Sequence, residues 1–196
     1  MNIPNILTIS RIVMIAIAVV LSAFCGPKVE PITDRILVFR IIVMSLAFLA
    51  GVTDLLDGYL ARKWNQITDF GALMDPLADK IFVASCMLIA VEYRLMPSWI
   101  AIAVLAREFM VTGLRSLAAK KGIVISADKF GKLKTAMQML MLALAGASWL
   151  GCFDLWSKYT WQWYIWIVYL CSVVFVTMYS GMSYFVKYRH VFMENK

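Results

Sequence analysis

Charged residues are scarce in this chain. They make up 16% of its 196 residues, whereas 62% of the residues are hydrophobic. A soluble domain has about 25% charged and about 45–50% apolar residues, so the composition excludes an ordinary soluble domain. The apolar residues form runs long enough to cross hydrocarbon, which takes roughly 20 helical residues. No succession of short alternating strands is visible, so the sequence predicts an all-α integral membrane protein with a single domain over 1–196.

The chain also has a single histidine, and its cysteines are far apart in the sequence. His190 is the only histidine, and in the basic C-terminal tail we expect it to be solvated rather than catalytic. The four cysteines show no CxxC or Cys/His spacing, which argues against a zinc site. We interpret them as buried apolar thiols, with one disulfide between Cys25 and Cys152 left open. The four are Cys25, Cys86, Cys152 and Cys171.

Six apolar stretches are candidate membrane spans, and one side of the resulting arrangement collects most of the cations. The stretches cover about 6–24, 36–61, 76–93, 97–118, 132–150 and 161–186. The richer side has Arg62, Lys63, Lys120, Lys121, Lys129, Lys132, Lys134, Lys187, Arg189 and Lys196, and the other has Lys28, Arg35, Arg94 and Lys158. The richer side is expected to be cytoplasmic, with both termini. The net charge of +7 then indicates contact with anionic lipid rather than nucleic acid.

Four aspartates lie near the cytoplasmic ends of the second and third predicted spans. Asp54 and Asp57 are three residues apart, so they share one face of a helix. Pro76 suits the first position of the next helix, with Asp75 as its cap, and Asp79 follows one turn later. Two antiparallel helices joined by a short loop can therefore direct four carboxylates to one place.

Four unneutralised carboxylates at a membrane edge would repel one another, and two divalent cations would relieve that repulsion. Oxygen ligands favour a hard ion, so we expect Mg²⁺, with Mn²⁺ as the alternative. One competing interpretation makes Asp75 only a helix cap and pairs the other carboxylates with Arg62 and Lys80. Another is a divalent-cation transporter, although the polar residues lie at the helix ends rather than through the full membrane depth.

The aspartates belong to a longer pattern that resembles the signature of the CDP-alcohol phosphatidyltransferase family. The pattern is Asp54-x2-Asp57-Gly58-x2-Ala61-Arg62-x8-Gly71-x3-Asp75-x3-Asp79, which matches all eight fixed positions. Members of that family move a phosphatidyl group from a CDP-linked lipid to an alcohol and release CMP. The resemblance extends to chain length and to a six-helix layout, and it implies a homodimer in a lipid bilayer.

The resemblance also implies a role for each matching residue. Asp54, Asp57 and Asp75 would bind two metal ions, with Asp79 completing the site and acting as general base. The expected contacts to the CDP-lipid, CDP-diacylglycerol, are Gly58, Ala61, Arg62 and Gly71, with Thr68 as a weaker candidate. Near the N-terminus, Asn5 and Thr8 either cap the first helix or touch the nucleotide, and capping is the favoured interpretation for Asn5.

The acceptor alcohol has to be inferred from other segments. Residues 2–12, 107–115 and 131–135 resemble the branch of the family whose acceptor is glycerol 3-phosphate. Its phosphate needs cations, for which the candidates are Arg107, Arg115, Lys132 and Lys134. A basic cytoplasmic loop is the alternative explanation for the two lysines. Arg107 needs a partner within its span, and we expect Glu108 to point elsewhere, so that partner would be an aspartate or the substrate. Another acceptor (serine, inositol phosphate or phosphatidylglycerol) stays open.

Overall fold

A computed structural model describes residues 3–25, 33–63, 69–123, 129–155, 157 and 160–189. In these ranges the chain forms helices and no strands. The helices are α1 Ile3–Ser22, α2 Asp34–Lys63, α3 Asp69–Glu92, α4 Ser98–Lys120, α5 Lys129–Trp149 and α6 Trp161–Lys187. The prediction of an all-α fold is confirmed.

Five of the six predicted spans agree with a helix to within three residues at either end, and the third does not. The predicted start at Pro76 is wrong, because α3 begins at Asp69 and continues through that proline. Asp75 is therefore inside a helix and does not cap one. A proline at this position removes the hydrogen bond to the carbonyl of Ala72, which costs about 3 kcal/mol in an isolated helix. Packing of α3 against α1 offsets part of that cost.

Among the residues that the structure describes, two helical stretches are long and apolar enough to cross a membrane by length and composition, Asp34–Thr53 and Trp161–Lys187. Both carry large apolar side chains on their outer surfaces, and Phe48 and Phe175 are each 72% exposed. Surfaces of this kind are unfavourable in water and suited to hydrocarbon. The structure thus supports the predicted membrane protein, while the number of six spans stays a prediction.

The chain divides into two compact units. Unit 1 consists of Met1–Arg94 with Trp149–Cys152, and unit 2 consists of Leu95–Ser148 with Phe153–Lys196. In unit 1, α1 packs against both α2 and α3. In unit 2, α4 packs against α6.

Unit 1 buries a cation, Arg40, among aromatic rings. Arg40 Nη1 donates a hydrogen bond of 2.7 Å to the carbonyl of Trp149. Its guanidinium lies 5.8 Å from the ring centre of Tyr93 and 5.5 Å from that of Trp149. The hydroxyl of Tyr93 donates in turn to the carbonyl of Ser22. Because a buried charge is unfavourable without partners, these contacts stabilise one arrangement of the chain segments that meet there.

All four cysteines are free, so the disulfide left open between Cys25 and Cys152 is not formed. Cys25 is buried, whereas Cys152 and Cys171 are exposed. The expectation that all four thiols are buried is therefore wrong for Cys152 and Cys171, and Cys86 is half-buried.

Unit 2 is organised by a stripe of buried residues along α6. The stripe repeats every three or four residues, as expected for one face of a helix packed against a neighbour. Its members are Trp166, Leu170, Val173, Thr177, Ser180, Gly181 and Tyr184. Trp166 Nε1 donates to the carbonyl of Leu95 at 2.9 Å, and the hydroxyl of Tyr169 donates to that of Met137 at 2.8 Å. The stripe ends in three polar or small residues, which contribute to the site described below.

Candidate functional site

The four aspartates lie on α2 and α3 of unit 1. Asp54 and Asp57 are in the last part of α2, and Asp75 and Asp79 are one turn apart on α3. The side chains of the α2 pair lie outside the described residues. On α3, Asp75 is half-buried and Asp79 is exposed. Asp75 and Asp79 share one face of α3, as their spacing predicts. The helix that carries them starts earlier than expected.

Asp75 is held by a residue from the first helix. Thr8 Oγ1 donates a hydrogen bond of 2.8 Å to Asp75 Oδ1. Thr8 is 1% exposed and lies inside α1, which begins at Ile3, so its predicted alternative as a helix cap is wrong. A hydrogen bond to a charged acceptor is stronger than one between neutral groups. Thr8 therefore orients one carboxylate of the candidate metal site.

The other candidates for the CDP-lipid are found on the same helices. Asn5 is inside the first turns of α1, so the expectation that it caps this helix is wrong, and its side chain lies outside the described residues. Gly71 is buried in the first turn of α3 rather than in the loop before it. Thr68 lies outside the described residues. Three further candidates are on α2, with side chains outside the described set: Gly58, Ala61 and Arg62.

The donor set of this site suits a hard divalent cation. Asp75 and Asp79 offer carboxylate oxygens from successive turns, and Thr8 fixes the orientation of the first. Among the described side chains alone, no group of three or more His, Cys, Asp or Glu residues could hold a metal ion. The side chains of Asp54 and Asp57 are not among the described ones. The residues present on α3 fit Mg²⁺ or Mn²⁺, which prefer oxygen ligands.

A second polar cluster lies in unit 2 around Arg107 of α4, which is only 5% exposed. Its Nη2 donates to Ser180 Oγ at 2.7 Å, and its Nη1 lies 3.4 Å from Glu108 Oε1. The guanidinium also lies 5.8 Å from the ring centre of Tyr184. The expectation that Glu108 points away from Arg107 is wrong. The two side chains are neighbours in sequence, but long side chains can bend toward each other when a second cation attracts the carboxylate.

That second cation is Lys134. Its ammonium group pairs with Glu108 Oε1, and the residue is 4% exposed. Lys134 is therefore a buried residue of α5, which does not match the alternative of a solvated basic loop. Lys132, two residues earlier, is exposed and fits that alternative.

Arg115 reaches the same cluster from two turns further along α4. Its Nη2 donates a hydrogen bond of 3.0 Å to the hydroxyl of Tyr184, and its guanidinium lies 5.4 Å from that ring centre. The structure thus brings together three of the four predicted cations, Arg107, Arg115 and Lys134. Arg107 and Lys134 share Glu108 as a carboxylate neighbour, and Arg115 joins them through Tyr184. A cluster of three cations of this kind is suited to an anion.

Sequence analysis did not identify the residues of α6 that organise this cluster. They are Ser180, Gly181 and Tyr184. A Cβ atom at Gly181 would come within 3.0 Å of Arg107 Cγ, so the glycine leaves the space in which Arg107 lies. The available signal was indirect: a charged residue inside a span requires a polar partner, and the Ser-Gly pair interrupts the apolar run of the last span.

Comparison with known proteins gives the same family for nearly the whole chain. A family model described as CDP-alcohol phosphatidyltransferase matches residues 1–178. A protein of Bacillus subtilis named CDP-diacylglycerol–glycerol-3-phosphate 3-phosphatidyltransferase is 37% identical over 188 residues, covering 95% of this chain and 94% of that protein. A protein of the same name from Haemophilus influenzae is 42% identical over 153 residues, covering 76% of each chain. Another from Rickettsia typhi is 31% identical and covers 94% of this chain and 95% of its own length.

Proposed function

The chain belongs to the CDP-alcohol phosphatidyltransferase family, and we propose that it transfers the phosphatidyl group of CDP-diacylglycerol to sn-glycerol 3-phosphate. The products are phosphatidylglycerophosphate and CMP. The observation that supports this proposal most strongly is the shared name of relatives that are 31–42% identical and are matched over 76–95% of this chain.

The reaction breaks the phosphoanhydride bond of CDP-diacylglycerol and forms a phosphodiester bond to the acceptor. A hydroxyl oxygen of glycerol 3-phosphate attacks the phosphorus that carries the diacylglycerol group, and the bond from that phosphorus to CMP breaks. Asp79 takes the proton of the attacking hydroxyl as general base, a role that requires an accessible carboxylate. Its exposure at the surface of α3 is compatible with that role.

We assign the metal ions to the aspartates of α2 and α3. Asp54, Asp57, Asp75 and Asp79 would hold two Mg²⁺ ions, with Mn²⁺ as a substitute. When bound, such ions neutralise the pyrophosphate and stabilise the negative charge on departing CMP. Thr8 keeps the Asp75 carboxylate in one orientation, so less conformational freedom is lost when the substrate arrives.

The CDP group is assigned to the helix surface beside the aspartates. Small residues let a nucleotide approach the backbone, and a cation pairs with its phosphates. This assignment covers Asn5, Thr8, Gly58, Ala61, Arg62, Thr68 and Gly71.

The acceptor phosphate is assigned to the cation cluster of unit 2. A phosphate monoester carries a charge of about −1.5 to −2 at neutral pH. Arg115 is exposed and offers a planar set of N–H donors that suits phosphate oxygens. The buried residues Lys134 and Arg107 add positive charge to the same cluster. The exposed Lys132 attracts the negatively charged acceptor.

We further propose a bacterial cytoplasmic membrane location, with both termini and the active site on the cytoplasmic side, and assembly as a homodimer. The distribution of Lys and Arg in the sequence supports this orientation. The diacylglycerol tails would then stay in the bilayer, and the soluble acceptor would come from the cytoplasm.

Measurement of CMP release by the purified full-length protein tests the proposed reaction. CDP-diacylglycerol and Mg²⁺ are supplied with one acceptor at a time: glycerol 3-phosphate, serine, inositol, inositol phosphate or phosphatidylglycerol. We expect release with glycerol 3-phosphate. Release with another acceptor but not with glycerol 3-phosphate would contradict the proposed substrate, and the absence of release with all of them would contradict the proposed activity.

A further inference from the structure

We propose that Tyr184 is a positioning residue that holds the guanidinium group of Arg115 ready for the acceptor phosphate. This inference rests on the proposed function, which assigns that phosphate to the cation cluster of unit 2. It adds to that cluster an uncharged residue of α6.

Tyr184 is fixed in place before any ligand binds. It is 3% exposed, and it lies one helical turn after Ser180 on the buried face of α6. Its ring stacks on that of Tyr188, with centres 6.2 Å apart and planes 28° apart. Because packing holds the ring in place, its face and its hydroxyl group keep one orientation toward α4.

Two arginines of α4 share that one ring. The guanidinium groups of Arg107 and Arg115 lie 5.8 Å and 5.4 Å from its centre. The face of an aromatic ring attracts cations, so Tyr184 reduces the repulsion between two like charges without neutralising either. A second carboxylate at this position would stabilise the arginines as well, but it would also repel the phosphate.

The two arginines are held to different extents. Arg107 is buried, hydrogen-bonded to Ser180, and so close to Gly181 that a Cβ atom there would come within 3.0 Å of its Cγ. Arg115 is exposed, and its hydrogen bond of 3.0 Å goes to the hydroxyl of Tyr184. Of these two arginines, Arg107 is thus the structural cation and Arg115 is the one able to meet a soluble ligand.

Holding Arg115 matters because a long exposed side chain loses rotamer freedom when it binds a ligand. If Tyr184 restricts it beforehand, that loss does not weaken phosphate binding. One hydrogen bond to Tyr184 still leaves several of the five guanidinium N–H groups to point at phosphate oxygens. Tyr184 therefore raises the affinity for the acceptor and has no direct effect on the CDP-lipid.

The test uses two variants of Tyr184 and one matched control in the purified full-length protein. Tyr184→Phe removes the hydroxyl and keeps the ring, and Tyr184→Leu removes both. Tyr179→Phe makes the same change at an exposed tyrosine of the same helix, whose ring contacts Phe130. The measured quantities are kcat and the KM values for glycerol 3-phosphate and for CDP-diacylglycerol.

We expect Tyr184→Phe to raise the KM for glycerol 3-phosphate about tenfold, because a hydrogen bond to a charged group is lost. Tyr184→Leu should raise it further, and neither should change the KM for CDP-diacylglycerol by more than about twofold. Tyr179→Phe should behave as the wild type. A KM for glycerol 3-phosphate that stays within about twofold in Tyr184→Phe, or a change that appears equally in both KM values, would overturn the proposal.

A binding measurement without CDP-lipid separates this proposal from the proposed function. The thermal stabilisation of the protein by glycerol 3-phosphate and by inorganic phosphate is measured for the wild type and the three variants. Stabilisation that is present in the wild type and Tyr179→Phe but reduced in Tyr184→Phe supports the role of Tyr184, even if the wild type releases no CMP with glycerol 3-phosphate. Equal stabilisation of all four proteins, or none in the wild type, contradicts it.

Discussion

Thr8 on α1 donates a hydrogen bond of 2.8 Å to Asp75 on α3, across 67 positions of sequence. The bond orients a carboxylate that we assign to the metal site, so its loss should affect catalysis more than folding. We expect Thr8→Val to lower kcat about tenfold, because a hydrogen bond to a charged group is removed at nearly constant volume. Thr8→Ser keeps the hydroxyl and should retain most of the activity in the CMP-release assay. Equal activity of the valine and serine variants would contradict this role.

Asp79 is the proposed general base, and it is exposed on α3. Asp79→Asn should reduce CMP release by about 10²–10⁴-fold, since an amide cannot accept the proton of the attacking hydroxyl. Asparagine has nearly the same size as aspartate, and the melting temperature of the variant checks that it folds. Asp34→Asn makes the same substitution at the exposed start of α2 and serves as the control. Activity of Asp79→Asn within tenfold of the control would exclude Asp79 as the base.

Metal removal should abolish the reaction reversibly. After chelation with EDTA, we expect activity to return with Mg²⁺ or Mn²⁺ and not with Zn²⁺, because the proposed ligands are all carboxylate oxygens. Electron paramagnetic resonance with Mn²⁺ should detect two bound ions per chain in the wild type and fewer in Asp75→Asn. Full activity in the presence of EDTA would contradict the proposed metal dependence.

Glu108 and Lys134 form an ion pair with little exposure, in which Lys134 is 4% exposed. Removing one member takes a contact from the remaining charge, which destabilises a protein more than replacing both residues. We therefore expect Glu108→Gln and Lys134→Met each to lower the melting temperature in detergent. The double variant should lose less than the sum of the two losses, because neighbouring sites are not additive. Additive losses would show that the pair contributes nothing to stability.

Cys152 provides a test of orientation. It is exposed next to the end of α5, on the side that we propose to be outside the cell. Cys25 is buried, and that burial raises the pKa of its thiol, an effect that nearby Arg40 partly offsets. Since thiolates are the reactive form, Cys25 should react slowly. A membrane-impermeant maleimide should label the wild type but not Cys152→Ser in right-side-out membrane vesicles. Labelling of Cys152 only after the vesicles are opened would reverse the proposed orientation.

The sequence by itself determined the helical character, the bounds of five helices and the family. These properties depend on short-range patterns: long apolar runs, aspartates three or four residues apart, and small residues beside them. Such patterns are readable because a helix brings residues i and i+4 to the same face whatever surrounds it. The family assignment followed from eight positions of one motif, and the comparisons confirmed it. The roles of those eight positions stay predictions.

The tertiary structure decided what the side chains contact. Pro76 is a normal signal for a helix start, yet α3 runs through it, since packing against α1 compensates for a local preference. The direction of Glu108 depended on Lys134, 26 positions away. The role of Tyr184 depended on Arg115, 69 positions away. Contacts over such separations are selected by the packing of whole helices, which no local pattern encodes, and so the partners of the predicted cations were visible only in the folded chain.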